Sequence, residues 1–112
     1  MTEEKYISEL KKGWPRKGDA TLEAIALADE STRAFPNSAK LWCMRGDLIQ
    51  LGPEKNPHSL DDALTSYKRA IEIDPMFAEA WEEIGHFYHN VLDDETTAQS
   101  YFREAERLKR TS

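Results

Sequence analysis

Hydrophobic and polar positions follow a helical period along most of the chain. The clearest stretches are residues 20–35, 38–51, 60–73, 77–91 and 95–109. In each of them apolar side chains recur every three or four positions, as on one face of a helix. Residues 3–12 carry the same pattern more weakly, and residues 52–58 interrupt it with a glycine and two prolines. The pattern predicts an all-α chain of five or six helices.

Short polar side chains mark where several of these helices begin. Ser38 and Ser59 stand directly before apolar-periodic segments, and Asp62 follows Ser59 by three residues, as in a capping box. The inward-facing stripes are expected to include Leu22 in the helix over 20–35 and Leu60 in the helix over 60–73. The loop at 52–58 is expected to be an exposed excursion.

Two segments of the chain repeat the same marker residues at the same spacing. The positions are Pro36, Trp42, Gly46, Ala63, Tyr67 and Ala70 in one segment, and Pro75, Trp81, Gly85, Ala98, Phe102 and Ala105 in the other. Proline precedes tryptophan by six residues in both, and tryptophan precedes glycine by four. Small residues at these places let two paired helices approach closely. A repeated helical hairpin is therefore indicated.

This pattern resembles the tetratricopeptide repeat family, clearly over residues 39–108 and weakly over 3–37. The resemblance implies one domain over 1–112, an all-α solenoid of about three antiparallel helix pairs in a right-handed superhelical array. The expected units are a degenerate repeat at 3–37, a repeat at 39–77 with five extra residues in its inter-helix turn, and a repeat at 78–112. Arg45 departs from the family pattern, which has leucine there.

Composition narrows the expected partners. The 112 residues carry a net charge of −6, and residues 18–102 alone hold six basic and sixteen acidic groups, a net −10. Such a balance argues against nucleic-acid binding and favours a cationic partner. No apolar run is long enough to span a membrane, and the N-terminal residues do not form an apolar signal segment, so a cytoplasmic protein is expected. Cys43 is the single cysteine, which excludes an internal disulfide.

In the family that the repeats resemble, the first helix of each repeat lines a groove that binds extended peptides. Carried over by position, the lining residues would be Lys40, Cys43, Met44, Asp47, Gln50, Glu79, Glu82, Glu83, His86, His89 and Asn90. Four of them are carboxylates and one is lysine, so the implied partner is a protein or peptide of basic or mixed charge. The resemblance implies a non-enzymatic interaction module without a cofactor, and a monomer is favoured over a weak homodimer.

Two other hypotheses remain open. Glu82, His86 and His89 share one helix face and could bind a metal ion, which would make the chain a small helical metal protein. Alternatively, the array could associate with itself as a structural element. Cys43 is expected to be a packing thiol because no base is predicted near it. His58 is expected to be solvated in its loop.

Overall fold

The computed structural model describes residues 1–111, which fold into six α-helices and no β-strand. The helices are α1 (Glu3–Lys12), α2 (Leu22–Ala34), α3 (Ala39–Leu51), α4 (Leu60–Ile73), α5 (Ala78–Asn90) and α6 (Glu95–Thr111). Each of them was predicted from the sequence, including the weaker α1, and every end agrees within about two residues. Ser112, the last residue of the third expected repeat, lies outside the described residues.

Side-chain caps explain why the helices begin where they do. The Thr2, Thr21 and Ser38 hydroxyls accept from backbone N–H groups three residues further on, at 3.1, 3.1 and 3.2 Å. At α4 the Asp62 carboxylate accepts from the Ser59 backbone N–H at 3.2 Å, as the sequence predicted. These bonds satisfy donors that a helix leaves free at its first turn.

Helices that follow one another pack as hairpins, and neighbouring hairpins stack on each other. The α3–α4 and α5–α6 pairs pack most extensively, and α2 contacts α3 as α4 contacts α5. This is the all-α solenoid that the sequence predicted. Among residues 1–111, none of the helices combines the length and apolar character required to cross a membrane.

The marker residues of the repeat have the same contacts in both segments. The Trp42 indole Nε1 donates to the Pro36 carbonyl at 2.9 Å, and Trp81 donates to Pro75 at 2.8 Å. This bond accounts for the six-residue spacing of proline and tryptophan. A Cβ atom added at Gly46 would lie 2.6 Å from the Tyr67 ring, and one added at Gly85 would lie 2.6 Å from the Phe102 ring. Each glycine therefore lets an aromatic ring of the paired helix lie directly against the backbone.

The core forms two clusters that meet at α3. Leu41, Met44 and Leu48 of α3 pack with α1 and α2 in the N-terminal core. Cys43 and Ile49, on other sides of the same helix, pack with α4 and α5 in the C-terminal core. Helices therefore cover α3 on two sides, and both Met44 and Cys43 are buried.

Two residues assigned to inward stripes are exposed. Leu22 is 50% exposed and Leu60 is 48% exposed, because each is the first residue of its helix and projects beyond the packed hairpin. At the other end of the array, Leu108 is buried. At Leu22 and Leu60 the predicted stripe fails because no neighbouring helix covers the first turn, and Ala26, assigned to the same side of α2, is exposed as well.

The prediction that His58 is solvated is wrong, because the 52–58 loop packs on the array. The His58 side chain is only 18% exposed, and its Nε2 lies 2.8 Å from an Asp29 carboxylate oxygen on α2. Its Nδ1 lies 3.2 Å from Asp62 of α4. Arg45, which replaces the leucine of the family pattern, donates its Nε to the same Asp29 at 2.8 Å. The arginine is therefore part of a polar cluster that ties the loop to three helices.

Enlarging the helix-contact glycines should destabilise the protein. Gly46→Leu and Gly85→Leu should each lower the free energy of unfolding by about 1–3 kcal/mol or more, because an aromatic ring must move away. Gly46→Leu should cost more, since Tyr67 is fully buried whereas Phe102 is partly exposed. Ser100→Leu, on the exposed face of α6, is the control. Chemical denaturation measures all three, and glycine variants as stable as the parent would contradict this packing.

Removing the His58 imidazole should also destabilise the fold. His58→Ala leaves the Asp29 and Asp62 carboxylates without one of their partners, and we expect a loss of about 1–3 kcal/mol. Glu54→Ala changes an exposed side chain of the same loop and should be close to neutral. Equal melting temperatures for the two variants would show that the loop does not stabilise the array.

Candidate functional site

A groove runs between α1, α3 and α5, the first helices of the three hairpins. One cavity in it has a volume of about 310 Å³ and is lined by Trp14, Asp47, Gln50, Leu51, Glu83 and His86. A second, of about 140 Å³, is lined by Lys11, Trp14, Lys40, Met44, Asp47 and Glu79. Because both cavities include Trp14 and Asp47, they are two parts of one depression. We call it the α1–α3–α5 groove.

Helix position explains which side chains reach this groove. Asp47 directly follows Gly46, and His86 directly follows Gly85, so both occupy the same place in their repeats. The Tyr67 hydroxyl, held against α3, donates to an Asp47 carboxylate oxygen at 2.6 Å. In the next hairpin, His86 packs edge-on against Phe102 with ring centroids 5.0 Å apart. The groove floor is thus built on the two glycine–aromatic contacts.

The centre of the groove is a pair of carboxyl groups. Asp47 of α3 and Glu83 of α5 line the same cavity, and Glu79 lines the adjoining one with Asp47. Burial, followed by the hydrogen bond and charge of Glu83, raises the pKa of Asp47 to about 8. Asp47 therefore keeps its proton near neutral pH.

The rest of the groove is neutralised or polar. The Lys40 ammonium lies 3.1 Å from the Glu79 carboxylate and joins α3 to α5. Gln50 donates its side-chain N–H to the Tyr67 hydroxyl at 2.6 Å. The Trp14 indole is half-buried against the N-terminal core and forms one wall. The groove thus combines a carboxyl pair, an aromatic wall and an amide within one depression.

Six of the predicted lining residues meet in the groove as polar walls, namely Lys40, Asp47, Gln50, Glu79, Glu83 and His86. Met44 touches it only marginally, being 5% exposed and part of the N-terminal core. Cys43 is 1% exposed and belongs to the C-terminal core, where burial raises the pKa of its thiol. Assigning Cys43 to the lining was wrong, because α5 covers that side of α3.

Three predicted lining residues lie away from these cavities at α5. Glu82 forms an ion pair with Lys109 of α6, and His89 forms one with Glu95 at the start of α6. Asn90 is exposed at the end of α5. Glu82 and His89 have separate partners, and His86 packs on Phe102. Glu82, His86 and His89 therefore do not form the metal-binding set that the sequence suggested. Within residues 1–111, no group of three or more His, Cys, Asp or Glu side chains is arranged to hold a metal ion.

Sequence reasoning missed Trp14 and Lys11, which complete the groove from the N-terminal hairpin. Trp14 stands between Gly13 and Pro15, where α1 ends and the chain turns. Its backbone N–H donates to the Lys11 carbonyl at 3.2 Å. A tryptophan in a short turn with a glycine and a proline was the available signal, because a large aromatic side chain there needs a surface to pack on.

Replacing Asp47 by asparagine should change how stability depends on pH. A raised pKa means that the folded state binds more protons than the unfolded state between about pH 4 and 8, so stability falls as pH rises through this range. Asp47→Asn cannot ionise and keeps an oxygen for the Tyr67 hydroxyl. Its melting temperature should therefore rise relative to the parent between pH 5 and pH 9. Asp19→Asn, at an exposed position, is the control; if it behaves in the same way, Asp47 has no special role.

Comparison with known protein families gives a match that covers part of the array. The family model described as "TPR repeat", the tetratricopeptide repeat, matches residues 59–91, which include α4, the turn at Pro75 and α5. A comparison with curated proteins gave no significant match. The matched segment contains the second helix of one hairpin and the first helix of the next. The match shows that residues 59–91 are similar to a tetratricopeptide repeat, and the repeated Trp–Pro and Gly–aromatic contacts occur in the hairpins on both sides of the turn at Pro75.

Proposed function

We propose that the chain is a non-enzymatic interaction module that holds a basic or mixed-charge segment of a partner protein in the α1–α3–α5 groove. Tetratricopeptide repeats generally mediate protein–protein interaction. The observation that carries the finer proposal is the Asp47–Glu83 pair beside the Trp14 indole. Carboxyl groups gathered in one cavity favour a ligand that brings positive charge.

The distribution of charge along the groove supports this choice. Lys40 pairs with Glu79 at one end, so the negative centre is at Asp47 and Glu83. Lys11 lies on the α1 side of the same groove, which suits a segment that carries an acidic group as well as basic ones. A mixed-charge peptide could therefore bind along the groove with each charge opposite its complement.

The chain's three repeats, at 3–37, 39–77 and 78–112, are proposed to act as a monomer in the cytoplasm. At the α6 end, Leu108 is buried, and Tyr101 stacks on Tyr88 with ring centroids 5.6 Å apart. The Glu82–Lys109 ion pair adds a polar contact between α5 and α6. These contacts cover part of the apolar face of α6, which favours a monomer. The buried free thiol of Cys43 suits a reducing compartment.

Reversing charge in the groove should weaken capture of a basic partner. Glu79→Lys with Glu83→Lys should weaken binding of a lysine- and arginine-rich peptide by at least tenfold, and the parent's binding should weaken as salt rises because screening shortens the reach of each charge. Fluorescence anisotropy with a labelled peptide at low and high salt measures both effects.

The matched control is Glu72→Lys with Glu106→Lys, which makes the same change of net charge on exposed positions of α4 and α6. Both double variants should retain the parent's circular dichroism spectrum. If the groove variant and the control variant lose the same affinity, binding depends on net charge and not on the groove. Unchanged affinity in the groove variant would contradict the proposal.

A further inference from the structure

His58 attaches the loop between α3 and α4 to two helices. Its Nε2 lies 2.9 and 2.8 Å from the two Asp29 carboxylate oxygens on α2, and its Nδ1 lies 3.2 Å from an Asp62 carboxylate oxygen on α4. The Asn56 side chain makes its hydrogen bonds inside the loop, to the Pro53 carbonyl at 3.0 Å and to the His58 backbone N–H at 2.7 Å. The imidazole is thus the link between the loop and α2.

A histidine placed between two carboxylates needs both of its ring protons. A neutral imidazole has one N–H donor and one lone pair, so one of its nitrogens would face a carboxylate oxygen without a proton between them. An imidazolium donates from both nitrogens, and its hydrogen bonds to carboxylates are stronger than neutral ones. The 2.8 and 3.2 Å distances at His58 are both those of hydrogen bonds. The geometry therefore favours the protonated ring.

The charge of the surrounding groups favours the same form. Arg45 donates its Nε to Asp29 at 2.8 Å. Burial disfavours the ionised form of Asp29, but the hydrogen bonds and charges of His58 and Arg45 outweigh it and lower the pKa of this carboxyl group. One guanidinium balances only one of the two carboxylates, Asp29 and Asp62. An imidazolium balances the second, in a cluster where Asp29, Arg45 and His58 are each at most 20% exposed.

We propose that His58 is an imidazolium clasp between α2 and α4, and that loss of its proton at higher pH loosens the loop. The proton passes to solvent, and the remaining N–H at Nε2 keeps Asp29. The Nδ1 lone pair then faces the Asp62 carboxylate, which it repels, and can accept from the Arg45 guanidinium 3.5 Å away. One bond holds the loop in place of two. This inference is independent of the proposed function, because the clasp lies outside the groove.

The contribution of the clasp to stability has a definite sign. It is present while the imidazole is protonated and is lost as pH rises through the titration of His58 in the folded protein. The charged groups that face the ring are Asp29 from α2, Arg45 from α3 and Asp62 from α4, and Glu54 of the loop lines the same cavity of about 300 Å³. Because the pKa of Asp29 is lowered and arginine stays protonated, neither changes charge near neutral pH.

Nitrogen-15 NMR of the histidine rings tests the protonation state directly. In the full chain at pH 7, both ring nitrogens of His58 should carry a proton, and at pH 9 one of them should have lost it. The nitrogen shifts separate the imidazolium from the two neutral tautomers. A neutral ring at pH 7 would overturn the proposal.

His58→Gln is the matched variant, because glutamine keeps an N–H donor and cannot carry the charge. Relative to the parent, it should raise the equilibrium constant for unfolding about tenfold or more at pH 6 and less than about threefold at pH 9. The contribution of Asp47 cancels, since both chains contain it. His89→Gln removes an exposed histidine that also pairs with a carboxylate, Glu95, and should stay within about twofold of the parent at both pH values. An equal effect of His58→Gln at pH 6 and pH 9 would contradict the clasp.

Trypsin cleavage after Lys55, an exposed loop residue, measures loosening of the loop itself. The rate is divided by that for a capped peptide of residues 54–62 at the same pH, which removes the pH dependence of the protease. Between pH 6 and pH 9 this ratio should rise about fivefold or more in the parent and less than about twofold in His58→Gln, where the clasp is absent throughout. A constant ratio in the parent would show that the loop is not released and that the proposal is wrong.

Discussion

The close approach of α3 and α4 at Gly46 is the contact on which both the fold and the groove depend. With no side chain at this position, the Tyr67 ring lies directly against α3, and its hydroxyl reaches the groove side of that helix. There it donates to Asp47 and accepts from Gln50. One residue therefore fills the core with its ring and fixes two groove side chains with its hydroxyl. The third hairpin repeats the contact through Gly85 and Phe102 without a hydroxyl, which leaves His86 packed on the ring alone.

The helices could be predicted from sequence because their signals are local. Caps such as Ser38, stop signals such as Pro75 and the Trp–Gly spacing act within a few residues of where they stand, and they placed all six helices. The burial of Cys43 and Met44 depends instead on helices that pack on both sides of α3. A signal for this existed in the repeat itself, since the equivalent positions of α5 are Glu82 and Glu83. An apolar pair where the next repeat has carboxylates indicates that the helix is covered.

The remaining differences involve contacts between residues far apart in the chain. Asp29 and His58 are 29 residues apart, and no periodicity or spacing predicts that a loop histidine meets a helix carboxylate. Trp14 completes the groove only because the turn after α1 directs the indole towards α3 and α5. In both places the local sequence supplied the residue type, whereas tertiary packing supplied its partner. The acidic character of the groove was predictable by position, but the convergence of Asp47 and Glu83 was not.

Burial of the Asp47 carboxyl group costs stability in the free protein, and locally unfavourable groups of this kind are typical of functional sites. We propose that the partner binds in the groove beside this group. Nitrogen-15 NMR of the full chain with the lysine- and arginine-rich peptide tests this most directly. We predict shifts at the Trp14 indole N–H, the Gln50 side-chain amide and the backbone amides of α3 and α5 around Asp47 and Glu83. Shifts confined to α4, α6 or the 52–58 loop would contradict the account.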